Sequence, residues 1–148
     1  MAGARYGEAR VQSSTERVPL APRAWPETVP ERVDVCLPVL PGIGAVAGAF
    51  TGAVLAAWDL STEVGAVDEA VPAVADVLVH AALAWSALDL SLERDDLDLY
   101  VRLTARVEPD AEPALVAAID AAVPREVDSH HVAMEDTRLL VVLQIDVR

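Results

Sequence analysis

The sequence predicts an α+β fold: a two-layer sandwich with helices on one face of a mixed, mainly antiparallel sheet. Three observations carry this expectation. Residues 87–94 and 98–107 alternate apolar and polar side chains at the period of a half-buried strand, with a short turn between them. Two longer stretches, 44–58 and 66–85, repeat their apolar residues at helical period. The resulting order, β-α-α-β-β-α-β-β, puts helices and strands in separate layers around one core.

The elements follow in order. Residues 1–30 are expected to form a flexible tail, because Pro19, Pro22, Pro26 and Pro30 interrupt them and no apolar period is sustained. Trp25 is a residue that could pin part of the tail to the body. The remaining residues, 31–148, are expected to form a single domain. Arg32–Val39 reads as a strand, with Val33, Val35 and Leu37 alternating against Asp34 and Cys36. Gly44–Trp58 reads as the first helix, with Ile43, Val46, Ala47, Phe50, Val54, Leu55 and Trp58 on one face. Asp59–Gly65 is a connection in which Ser61 is placed to cap a short turn. Ala66–Trp85 reads as the second helix, burying Val67, Ala70, Val71, Val74, Val77, Leu78 and Ala81. Pro72 suggests that its regular part starts close to that residue.

The hairpin follows. Ala87–Arg94 places Leu88, Leu90 and Leu92 on one face. Asp98–Val107 does the same with Leu99, Val101, Leu103 and Ala105, and Asp95–Asp96 turns between them. Glu108–Pro113 reads as a loop, and Ala114–Val123 as a short helix burying Leu115, Ile119 and Ala122. Arg125–Ala133 and Arg138–Val147 are two more strands, joined by a turn at Met134–Thr137.

Composition narrows the function. A net charge of −13 disfavours nucleic acid and anionic membranes and suits a basic protein partner. The chain has no lysine and no asparagine, and no glycine after Gly65. Its second half therefore has no means of building a glycine-rich phosphate loop or a P-loop lysine. Arginine in place of lysine, with abundant alanine and valine, also fits a GC-rich genome. Cys36 is the only cysteine, so no internal disulfide forms and a cytoplasmic location is expected. Val39–Trp58 is uncharged and carries Gly44, Gly48 and Gly52 at four-residue spacing, which is also a membrane dimerisation pattern. The scarcity of large aliphatic residues and the one-sided face favour close packing inside a soluble fold over a membrane span.

Other patterns fall short of a site. Gly42-Ile43-Gly44-Ala45-Val46-Ala47 opens a helix after a strand, like a dinucleotide fingerprint. No second parallel strand ending in an acid follows, so no cofactor is expected. His130 and His131 are adjacent on a strand and point to opposite faces, so no metal site is expected from them, even with His80 as a distant third ligand. Ser129 beside His130 makes no triad. Asp95, Asp96 and Asp98 lack the glycine and distal glutamate of a calcium loop.

The element order and one helix motif resemble a known fold. The second helix carries Asp76-Val-Leu-Val-His80-Ala81, and a hairpin, a short helix and closing strands follow it. Over residues 32–147 this resembles the histidine-kinase-like ATPase, or Bergerat, fold, and is similar to the small anti-sigma factor serine kinases of actinobacteria. Members of that family use a helix glutamate as base, an asparagine for magnesium and an aspartate for adenine. The corresponding positions here are Asp76, His80 and Ala105. Imidazole is a poor magnesium ligand, and a methyl group accepts no hydrogen bond. The resemblance thus implies a degenerate, non-catalytic, anti-sigma-factor-like regulator with no cofactor. It would bind a sigma factor, an anti-anti-sigma protein or a second copy as a homodimer. Ile43, Phe50 and Trp58 would serve as interaction or core residues. The alternatives are an active serine kinase with divergent motifs, separated by nucleotide binding, and a structural or assembly subunit.

Overall fold

A computed structural model describes residues 31–60 and 65–147. The expected tail at residues 1–30 and the expected cap at Ser61 lie outside the described residues. Five strands form one sheet in the order β1-β2-β3-β5-β4. They are β1 (Arg32–Pro38), β2 (Ala87–Arg94), β3 (Asp98–Arg106), β4 (Ser129–Glu135) and β5 (Arg138–Asp146). Among the described residues the α-helices are α1 (Ile43–Ala57), α2 (Gly65–Ala81) and α3 (Glu112–Ala122).

The fold is the α+β arrangement expected, with one refinement. The expected mixed sheet is antiparallel at every pairing. Two helices separate β1 from β2, so the chain enters β2 at the end where β1 finished, and the two strands run in opposite directions. One helix separates β3 from β4, which do run the same way. However, β5 inserts between them and pairs with both.

The core lies between sheet and helices. Leu88, Leu90 and Leu92 of β2, Leu99, Val101, Leu103 and Ala105 of β3, and Leu139, Val141, Leu143 and Ile145 of β5 are all buried. They meet Ala47 and Leu55 of α1, Val67, Ala70, Val71, Val74, Ala75 and Leu78 of α2, and Leu115 and Ile119 of α3. Full burial of each large aliphatic side chain contributes roughly 1.5–3 kcal/mol, so the alternation in β2, β3 and β5 fixes their register.

Turn chemistry closes the elements. Helix α1 ends with Asp59 in the left-handed region at φ 61°. The Asp59 N–H donates to the Ala56 carbonyl at 3.1 Å, and the Leu60 N–H donates to the Leu55 carbonyl at 2.8 Å. Leu55 and Leu60 are both buried beside this stop, which is the hydrophobic contact such a motif requires. In the β2–β3 turn, Asp95 Oδ1 accepts the Leu97 and Asp98 N–H groups, each at 2.8 Å. Asp136, at φ 56°, supplies the tight turn from β4 to β5.

Several boundaries differ from the sequence expectation. Helix α2 extends well ahead of Pro72, which lies inside it, and stops at Ala81 instead of Trp85. Beyond Ala81 the backbone is drawn to β3: Ala82 bridges Val107, and the Leu83 N–H donates to the Arg106 carbonyl at 2.8 Å. Helix α3 starts at Glu112 because Pro113 fits its first turn, and Pro109–Ala111 ahead of it form a 3₁₀ turn. Strand β4 begins only at Ser129. Ahead of it the Val127 N–H donates back to the Pro124 carbonyl at 3.2 Å, a turn rather than a strand. Its far end runs to Glu135, so the turn to β5 is shorter than expected.

Candidate functional site

The site predicted from sequence centres on Asp76, His80 and Ala105. Asp76 and His80 are one turn apart on α2, and both are exposed. Asp76 Oδ1 lies over Gly44, in the space a Cβ there would need. His80 Nδ1 and the Asp76 carbonyl oxygen are 2.8 Å apart; with that nitrogen protonated, the ring is anchored to its own helix. Ala105 is on β3 with 2% of its surface exposed, among the core side chains. The bridge from Ala82 to Val107 brings the end of α2 to the end of β3. Even so, the two polar residues face outward while Ala105 faces the core.

The glycines explain why Asp76 is held there. Gly44 and Gly48 lie where α1 meets α2. A Cβ on Gly44 would come within 2.9 Å of the Pro72 carbonyl oxygen, and one on Gly48 within 2.8 Å of Pro72 Cγ. Gly52, the third of the series, has nothing within 4 Å. The four-residue glycine spacing therefore serves an intramolecular helix crossing through its first two members. Among the described residues no helix is long and apolar enough to cross a membrane.

The outward side of α1 is the second candidate. The helix carries no charged residue. Its one hydroxyl, on Thr51, is buried and donates to the Ala47 carbonyl at 2.8 Å. Ala45, Ala49, Ala53 and Ala57 form an exposed row, with Val46 exposed and Phe50 and Val54 half-buried beside it. A solvent-facing helix surface normally carries polar residues, and a continuous apolar strip is a mark of interaction surfaces. Of the three interaction candidates, Ile43 and Trp58 are core residues, 7% and 4% exposed. Only Phe50 reaches this strip. Trp58 is held from the sheet side: Arg94 Nη1 donates to its carbonyl at 3.1 Å, and the guanidinium lies 5.4 Å from its ring centre.

The histidine pair separates as its strand position requires. His130 Nε2 is 2.7 Å from Asp120 Oδ1 of α3, while its neighbour His131 is exposed. Among the described residues no group of three or more His, Cys, Asp or Glu side chains is placed to hold a metal ion. Among the described residues, a small cavity of about 100 Å³ is lined by Ala87, Asp89, Thr104, Ala105, Arg106 and Arg138. Sequence reasoning passed over Trp85, which is fully exposed at the corner between α2 and β2. Its only signal in the sequence is a large aromatic just before a strand.

No family model matches the chain, and no curated protein sequence matches it.

Proposed function

We propose that the chain is a non-catalytic, anti-sigma-factor-like regulator that acts in the cytoplasm by binding protein. The observation that carries this reading is how the three motif positions are used. Asp76 is laid across Gly44 at a helix crossing, His80 is tied to the Asp76 carbonyl, and Ala105 is a core residue. Each side chain is engaged in packing or local hydrogen bonding and offers no adenine or magnesium ligand of the kind the family uses. The uncharged outer strip of α1 supports the binding half of the proposal. The partner is a sigma factor, an anti-anti-sigma protein or a second copy of the chain. The net charge of −13 favours a basic surface on a heterologous partner.

Two measurements test the reading. Calorimetry with magnesium and ATP is expected to give no saturable heat; a micromolar dissociation constant sinks the non-catalytic assignment. Size-exclusion analysis with purified sigma factors and anti-anti-sigma proteins of the host is expected to give a complex that weakens as salt rises. A chain that stays monomeric at tens of micromolar and forms no such complex refutes the regulatory role.

A further inference from the structure

Strand register builds the cavity of about 100 Å³. Thr104 and Arg106 stand two residues apart on β3, so their side chains leave the sheet on the same side. Arg106 is paired directly with Arg138 of β5, and Thr104 with Asp89 of β2. Ala87 comes two residues before Asp89 on β2, and its methyl group leaves the space between them open. The sheet thus gathers two cations, one hydroxyl and one carboxylate around a single hollow.

The charges there are unequally matched. Like charges placed directly opposite each other in a ladder destabilise a sheet, and Arg106 and Arg138 are such a pair. Composition does not force it, since the chain has 24 acidic residues against 11 basic ones. Arg138 Nη2 lies 3.5 Å from Asp89 Oδ2, and Arg106 Nη2 lies 3.4 Å from Thr137 Oγ1. Both contacts are longer than a good hydrogen bond, and each guanidinium carries five N–H donors. Among the described residues Arg106 forms no ion pair, and Glu135, in register with Arg138 on β4, forms none with it. Two arginines against one aspartate leave the cavity with a surplus of positive charge in an acidic protein.

We propose that Arg106, Arg138 and Thr104 form a binding site for a carboxylate group. The planar guanidinium fork matches the two oxygens of a carboxylate, and one such group between the arginines turns their repulsion into attraction. The Thr104 hydroxyl is a further donor. Asp89 decides the class of anion. It balances one arginine, so a single negative charge neutralises the site, whereas a phosphate dianion brings an excess against the aspartate. Size narrows the ligand further. The cavity of about 100 Å³ compares with about 30 Å³ for one water. That is room for a carboxylate on a short stem, from a small aliphatic acid or a glutamate side chain, and not for a nucleotide. This inference goes beyond the protein-binding reading and does not depend on it.

Titration of the full chain with sodium acetate and sodium propionate tests the site. Sodium chloride and inorganic phosphate are the comparisons, at constant ionic strength and a mildly alkaline pH where phosphate is a dianion. The readouts are the Thr104 methyl and the arginine Nε–H NMR signals, assigned with Thr104→Val, Arg106→Gln and Arg138→Gln. Both arginines are exposed, so their variants leave the core untouched. The two acids are expected to shift these signals saturably, with dissociation constants of about 1–10 mM, and phosphate to bind more weakly. Arg106→Gln is expected to weaken propionate binding about fivefold or more. Ala87→Leu, which keeps both arginines and fills the cavity, is expected to do the same. Asp89→Asn removes the competing carboxylate and is expected to tighten binding about threefold or more and to admit phosphate. A linear shift shared with chloride is an ionic-strength effect only and overturns the site. So does propionate binding that is unchanged in Arg106→Gln or Ala87→Leu, or that fails to tighten in Asp89→Asn. A blocked alanine–glutamate–alanine peptide separates the two sources of the carboxylate. Binding tighter than propionate assigns the site to a glutamate of a partner protein, and equal or weaker binding assigns it to a free acid.

Discussion

Replacing each of the three α1 glycines by alanine perturbs one helix in three environments. Alanine gains about 1 kcal/mol over glycine in a helix interior, and this gain is shared by all three variants. The steric terms differ. At Gly52 the added Cβ meets nothing within 4 Å, so Gly52→Ala is expected to stabilise the fold by about 1 kcal/mol. That corresponds to a rise of about 4 °C in melting temperature for a domain of this size. At Gly44 the new methyl meets Asp76 Oδ1, which can swing toward solvent, and the Pro72 carbonyl at 2.9 Å, which cannot. At Gly48 it meets the Pro72 ring at 2.8 Å. Both variants force α1 and α2 apart, and overpacking of this kind costs roughly 1–3 kcal/mol. Gly44→Ala and Gly48→Ala are therefore expected between neutral and about 2 kcal/mol destabilising. Urea denaturation followed by circular dichroism measures all three. If Gly44→Ala and Gly48→Ala are as stable as Gly52→Ala, the helix crossing is not built on those glycines and the reasoning fails.

Two further outcomes are expected. Arg94→Ala removes both the hydrogen bond to the Trp58 carbonyl and the cation above its ring; a loss of about 1–2 kcal/mol in urea unfolding is expected, and no loss would show the clamp to be idle. The Leu97 and Asp98 N–H groups hold the Asp95 carboxyl below its usual pKa. Because the folded value is depressed, its contribution is present above the unfolded value of about 3.9 and lost as pH falls through the lower folded value. Asp95→Ala is thus expected to be less stable than the parent at neutral pH, with the gap closing in acid. A gap independent of pH would show that the carboxylate charge plays no part in the turn.

The strands and the helices differed in how legible they were. In β2 and β3 every inward leucine or valine except Leu88, which follows Ala87, is bracketed by polar residues, so the alternation named the buried face. Helix α1 has no polar side to set its phase. The apolar period therefore favoured Val46, Phe50 and Val54, which face outward or lie half-buried, and passed over Gly44 and Thr51, which are buried. Small residues stand on both sides of the helix, Gly44 and Ala47 inside and four alanines outside, so residue size did not mark the inner face either. The end of α2 was misread for a different reason. Ala82–Trp85 are acceptable helix formers, and only hydrogen bonds to a distant strand pull them out of the helix. That tertiary competition leaves no local trace, so Trp85 could not be singled out as an exposed residue. Asp76, His80 and Ala105 were singled out only through the family resemblance. Their engagement with Gly44 and the core required the helix crossing to be seen.

The attachment of β1 has its own consequence. Among the described residues this strand lies at the edge of the sheet and pairs with β2 alone, from Arg32 with Glu93 to Pro38 with Ala87, across the α1–α2 hairpin. The β2–β3 and β4–β5 ladders, in contrast, close over loops of a few residues. Loop closure makes a distant pairing entropically dearer and slower than a local one. Assembly is therefore ordered: the two hairpins form first, and β1 docks last, after the helices have folded back. In the native state the same hierarchy runs in reverse. Amide hydrogens of the edge strands β1 and β4 are expected to exchange through partial opening sooner than those of β3 and β5, which are paired on both sides. Each opening of β1 bares the hydrogen-bonding edge of β2 along Leu88, Leu90 and Leu92, so the docking of one short strand decides how often the sheet presents an edge able to recruit another chain.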